Sequence, residues 1–150
     1  MVAAMTDREE THQHILRVMV RHPELTTNGF GFGHLVRPAD YEVEFQKRRR
    51  DMLSDGSCRQ FEMAVTWLRL CSRTKRVNRG QTTYGLKHEA EAWARSYISN
   101  GMLIAAALHL GFTVAPASGS ADDCPNAYIN ISTRHRPNFG QHCSIPAGSR

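Results

Sequence analysis

Residues 102–110, from Met102 through Ile104 and Ala106 to Leu110, form a helix-length run with no polar face. A helix that is apolar all round has to be buried. Its ends are legible as well. Ser99 or Asn100 supplies an N-cap, and Gly111 stands where a left-handed C′ residue is wanted. The longest unbroken apolar stretch, 102–108, falls short of the roughly 18 residues that a membrane span needs. The chain must therefore supply amphipathic partners to cover this helix.

Those partners can be read from periodicity. Thr6-Asp7-Arg8-Glu9 is a capping box, followed by His12, Ile15, Leu16 and Met19 at helical spacing, with Pro23 as the stop. A second helix is expected over about 40–53 with Tyr41, Phe45 and Met52 on its inner face. Asp55-Gly56 would end it. Ser57-Cys58-Arg59-Gln60 reads as a second capping box. Phe61, Ala64, Val65, Leu68 and Cys71 then mark a strongly amphipathic helix, to which Met63, Trp67 and Leu70 add a second stripe. After a polar connector, 72–82, comes a helix with Leu86, Ala90, Trp93, Ala94 and Tyr97 on one face. Its other face carries the i,i+4 pairs Lys87–Glu91 and Glu91–Arg95.

Past Gly111 the pattern changes to strand-like alternation at 112–114 and 127–132, separated by a turn-rich loop. The expected fold class is thus α+β, mostly α: a bundle of about five helices carrying a short C-terminal antiparallel β-hairpin. A chain of 150 residues suits one domain, expected over 1–135. A mobile tail rich in Pro, Gly and Ser is expected at 136–150. The N-terminus turns acidic at once and reads as no signal peptide, which predicts a cytoplasmic location. There the four cysteines would be reduced thiols packed as small hydrophobes.

The net charge of +5 favours an anionic partner. Arg69, Arg73, Lys75, Arg76 and Arg79 occupy an acid-free stretch, and Lys and Arg bind phosphates through charge and counterion release. Lys47, Arg48, Arg49 and Arg50 would join that surface if the second helix packs nearby. Solvated charge runs are the plain alternative. The loop Gly29-Phe30-Gly31-Phe32-Gly33-His34 lacks the helix start of a phosphate loop, since Pro38 disfavours helix at Arg37. It reads as a packed loop, or as an aromatic protrusion whose Phe30 and Phe32 enter a partner. The two helices around Tyr97-Ile98-Ser99-Asn100 have helix-turn-helix lengths, but 102–110 offers base edges only His109, so the pair reads as core.

Two chemical constellations stand beside these. Tyr84, Lys87, His88 and Glu91 lie within two helical turns and could form an acid–base group; a surface ion pair and a half-buried histidine account for them equally. Cys124, His135, His142 and Cys143 carry zinc-ligand atoms, at a spacing that matches no common zinc pattern. No motif calls for a cofactor.

The segments Lys75-Arg76-Val77-Asn78-Arg79-Gly80-Gln81-Thr82-Thr83-Tyr84-Gly85-Leu86-Lys87-His88-Glu89-Ala90-Glu91, Tyr97-Ile98-Ser99-Asn100-Gly101-Met102-Leu103-Ile104-Ala105-Ala106-Ala107-Leu108-His109-Leu110-Gly111-Phe112 and Pro125-Asn126-Ala127-Tyr128-Ile129-Asn130-Ile131-Ser132 resemble a family of small uncharacterised proteins of bacterial plasmids, prophages and other mobile elements. The resemblance covers residues 67–132 and carries no activity or residue role with it. What it implies is context: an accessory protein that binds DNA or blocks a host defence complex such as a CRISPR effector. The expected function is therefore a non-enzymatic binding protein, with no membrane association. It would act on nucleic acid or on a nucleic-acid-binding complex. A small metal- or His-dependent hydrolase or nuclease is the alternative.

Overall fold

The computed structural model describes residues 4–32, 37–117, 124–134 and 136–137. Among the described residues five α-helices are followed by a two-stranded antiparallel sheet. Helix α1, Asp7–Arg21, opens on the predicted capping box. The Thr6 hydroxyl accepts the Glu9 N–H at 3.2 Å, and the Glu9 carboxylate accepts the Thr6 N–H at 2.8 Å. Ile15, Val18 and Met19 form its buried face.

A short 3-10 turn, Pro38–Asp40, leads into α2, Tyr41–Asp51, which buries none of its own residues. The expected inner face is only partly realised. Tyr41 and Phe45 are half-buried, and the fully buried Met52 lies just past the last turn.

Helix α3, Asp55–Arg69, has its N-cap three residues before the expected one. Ser54 is the N-cap, its hydroxyl accepting the Ser57 N–H at 3.2 Å. Asp55-Gly56 therefore opens α3 and does not close α2. Gln60 is unavailable for capping because its side-chain oxygen accepts the Ser99 N–H at 2.9 Å. This bond ties α3 to the start of α5.

Helix α4, Thr83–Ala94, is shorter than its apolar stripe suggested. Arg95 turns left-handed, with φ 54° and ψ 38°, so Tyr97 leaves the inner face and stands 63% exposed. Helix α5, Asn100–His109, is the all-apolar segment and lies buried against α1, α3 and α4. The Ser99 hydroxyl caps it, accepting the Met102 N–H at 3.3 Å. At its far end Gly111, φ +81°, donates to the Leu108 carbonyl at 3.1 Å and Phe112 donates to that of Ala107 at 2.9 Å. This is the Schellman arrangement that the glycine predicted.

Strands β1, Val114–Pro116, and β2, Ala127–Ile129, pair with Val114 opposite Ile129 and Pro116 opposite Ala127. The hairpin is thus real but shifted, because Phe112 is spent on the helix cap. The connector 72–82 runs beside it. Thr74 and Asn78 donate to the carbonyls of Asn130 and Ile129, each at 2.9 Å, and Ser132 donates to that of Ser72 at 2.8 Å. The buried Asn130 side chain fastens this seam, accepting from Thr113 at 2.7 Å and donating to Thr74 at 2.8 Å. A backbone bonded in this way is a fixed edge and not a loose loop.

Candidate functional site

The basic residues divide by what their side chains touch. Arg49 donates to the carbonyls of Met19, His22 and Leu25 at 3.0, 3.1 and 2.8 Å, adding a second cation to the Arg21 already in the last turn of α1. Arg73 does the same for α5, donating to Leu110 and Gly111 while stacking 4.2 Å over the Phe112 ring. Both were candidate partner contacts, and both are committed to the fold. Arg79 lies over the Tyr128 ring at 5.2 Å. Lys75, Arg76, Arg79 and Arg69 are exposed. Among the described residues none of these four, nor Arg73, stands in an ion pair with a carboxylate. Arg134, which sequence reasoning passed over, is exposed two residues beyond Ser132 and so extends the same edge.

Helix α2 goes elsewhere. Lys47 and Arg50 are exposed, whereas Arg48 lies within 3.6 Å of Glu44 and 5.7 Å from the Phe32 ring centre. Arg48 and Asp51 line a cavity with Tyr84 and Lys87, and none of the connector's cations reaches that cavity. Phe30 and Phe32 are 3% and 1% exposed, and Phe32 meets Tyr41 edge-on at 5.3 Å. Core packing holds both, so the aromatic-protrusion reading is withdrawn in favour of the packed loop. Gly33 and His34 lie outside the described residues.

The cavity measures about 610 Å³. Ser57 and Gln60 from α3, Tyr84 and Lys87 from α4, and Ser99 and Asn100 at the start of α5 form its walls. Asn28 and Asn126 complete it from the loops. Of the acid–base candidates Tyr84 and Lys87 line it, and the burial of the group is opposite to the expected one. Lys87 is 7% exposed, so its pair with Glu91 at 3.2 Å is not a surface pair, while the His88 side chain is 53% exposed. Glu91 also accepts from Ile98 N–H at 3.1 Å and meets His88 Nδ1 at 2.8 Å. Burial pushes its pKa up, but the Ile98 N–H, Lys87 and His88 outweigh burial and hold the carboxylate below its ordinary range. The Lys87 ammonium rests 5.6 Å from the Tyr84 ring centre and 4.9 Å from that of Tyr97.

Of the zinc candidates only Cys124 is described; His135, His142 and Cys143 lie outside the described residues. Among the described residues no group of three His, Cys, Asp or Glu is placed to hold a metal. Burial raises the Cys58 thiol pKa and pushes that of Cys71 up to about 12, which fits packing and not reactivity. Helix α5 shows no face to solvent that could read DNA. Arg136, where a mobile tail was expected to begin, is anchored to Gln81 at 2.8 Å and Glu89 at 3.1 Å.

Fold and site together define a mostly α, α+β protein with a cationic edge and a separate polar cavity. The chain matches no protein-family model, no curated protein and no solved structure. No helix of the described residues is long and apolar enough to cross a membrane.

Proposed function

We propose that this chain is a binding protein, not an enzyme, that docks on nucleic acid through its connector edge. One observation carries the reading. Lys75, Arg76 and Arg79 project from a backbone pinned to β2, with no carboxylate of the described residues neutralising them. Cations held on a fixed edge lose little freedom on meeting a phosphate backbone, and each contact releases counterions. The resemblance to mobile-element proteins supplies the setting. There such a protein would act on nucleic acid or on a host complex that handles it, defence effectors included.

The test is fluorescence anisotropy with labelled single- and double-stranded DNA and RNA across a salt series. With three phosphate contacts, the log–log salt slope for duplex DNA is expected to be about −3. The double variant Lys75→Glu, Arg76→Glu should abolish binding and leave the melting temperature unchanged, since both side chains are exposed. Absence of binding at low ionic strength would reject the nucleic-acid reading and leave an acidic protein surface as the partner.

A further inference from the structure

Polar side chains are costly to bury unless something satisfies them. Among the described residues, four of the eight buried polar or charged ones, Ser57, Lys87, Ser99 and Asn100, line the same cavity. One atom of its lining residues, Asn100 Oδ1, is buried with neither a hydrogen-bond nor an ion-pair partner among the described residues. Buried hydroxyls and amides gathered around one hollow supply the few fixed polar groups that orient a ligand in such a site. The volume of about 610 Å³ lies within the range of small-molecule sites.

Charge and shape narrow the ligand. Lys87 is answered by Glu91 at 3.2 Å, Arg48 has Glu44 at 3.6 Å, and Asp51 adds a carboxylate to the lining, so there is no excess positive charge to hold an anion. What remains is a neutral wall of hydroxyls and amides beside two rings. Tyr84 and Tyr97 flank Lys87 and are 54% and 63% exposed, unlike the buried aromatic residues of the core. Exposed tyrosine rings are stacking platforms for bases, and Asn, Gln and Ser read base edges through paired donors and acceptors. We propose that this cavity binds a nucleobase, either free as a nucleoside or carried as an unpaired base on a strand. The inference stands apart from the connector edge, whose residues do not line the cavity.

Calorimetric titration of the full chain with adenosine, guanosine, cytidine and uridine tests it, with ribose and glucose as controls. At least one nucleoside is expected to bind one-to-one. Tyr84→Ala should weaken that binding about tenfold, and Tyr84→Phe should retain it. If Tyr84→Ala lowers the melting temperature, Tyr97→Ala takes its place. The charge-reversed connector variant should bind the nucleoside unchanged, which separates this site from the first. Comparison with a trinucleotide of the preferred base tells a free ligand from a strand base. Silence with all four nucleosides at millimolar concentration, binding of the sugars alone, or indifference to both tyrosine variants would overturn the proposal.

Discussion

Arg49 and Arg50 are neighbours in one basic run, yet they do different work. The Arg49 guanidinium closes three carbonyls at the end of α1, while Arg50 points to solvent. Hydrogen bonds to a charged group contribute about 1.5–3 kcal/mol, and exposed surface changes stay within about 0.5 kcal/mol. Arg49→Ala is therefore expected to cost about 2 kcal/mol in urea denaturation, and Arg50→Ala almost nothing. Equal effects would show that the capping bonds contribute no stability. Lys87 teaches the same lesson at the cavity. Its spacing to Glu91 was legible, but spacing cannot say that α4 turns this pair inward, toward Ile98 and the Tyr97 ring.

Elements were legible where one residue carried the signal. The Thr6 box, the Ser99 cap and Gly111 each set a helix end through bonds within a few residues. Elements were misread where a distant partner decided. Gln60 looked like a capping residue until α5 claimed its oxygen, and Tyr97 looked inward until Arg95 turned the chain. Gly101 is the sharpest case. The loop before Phe30 crosses the start of α5 so closely that a Cβ at this position would collide with the Thr26 carbonyl, and the Gly101 N–H donates to Thr27 at 2.9 Å. Helix propensity alone favours alanine there by about 1 kcal/mol. Overpacking against backbone costs about 1–3 kcal/mol. Gly101→Ala is expected to lose up to about 2 kcal/mol net on thermal or urea unfolding. A gain would mean that the loop does not cross there.

At the scale of the whole molecule, α1 and α5 meet through His14 and His109, whose rings lie 4.3 Å apart. Burial holds the His109 pKa below 6.5, helped by the positive potential of His14, Arg69 and Arg17. A depressed histidine pKa means that the unfolded chain takes up the proton more readily than the folded one. The stability that neutral His109 permits is complete above about pH 6.5 and is lost as pH falls from there toward the folded-state pKa. Glu91, with its lowered pKa, adds a separate loss only below its ordinary value of 4.5. Melting temperatures taken between pH 7.5 and 5 should therefore fall, and His109→Gln should flatten that fall. A variant as steep as the parent chain would clear His109 of the effect.

By itself, the sequence determined the helical class, the buried last helix, the hairpin and the cationic run, because periodicity, caps and charge act over a few residues. Only the tertiary structure decided which arginines remain available, since Arg49 and Arg73 are taken by carbonyls 24 to 38 positions away in the chain. It alone assembled the cavity, whose walls come from Thr27 to Asn126. No local pattern records a hollow of this kind: each wall residue is an ordinary cap, loop or helix position until the helices pack and bring their polar groups to one point.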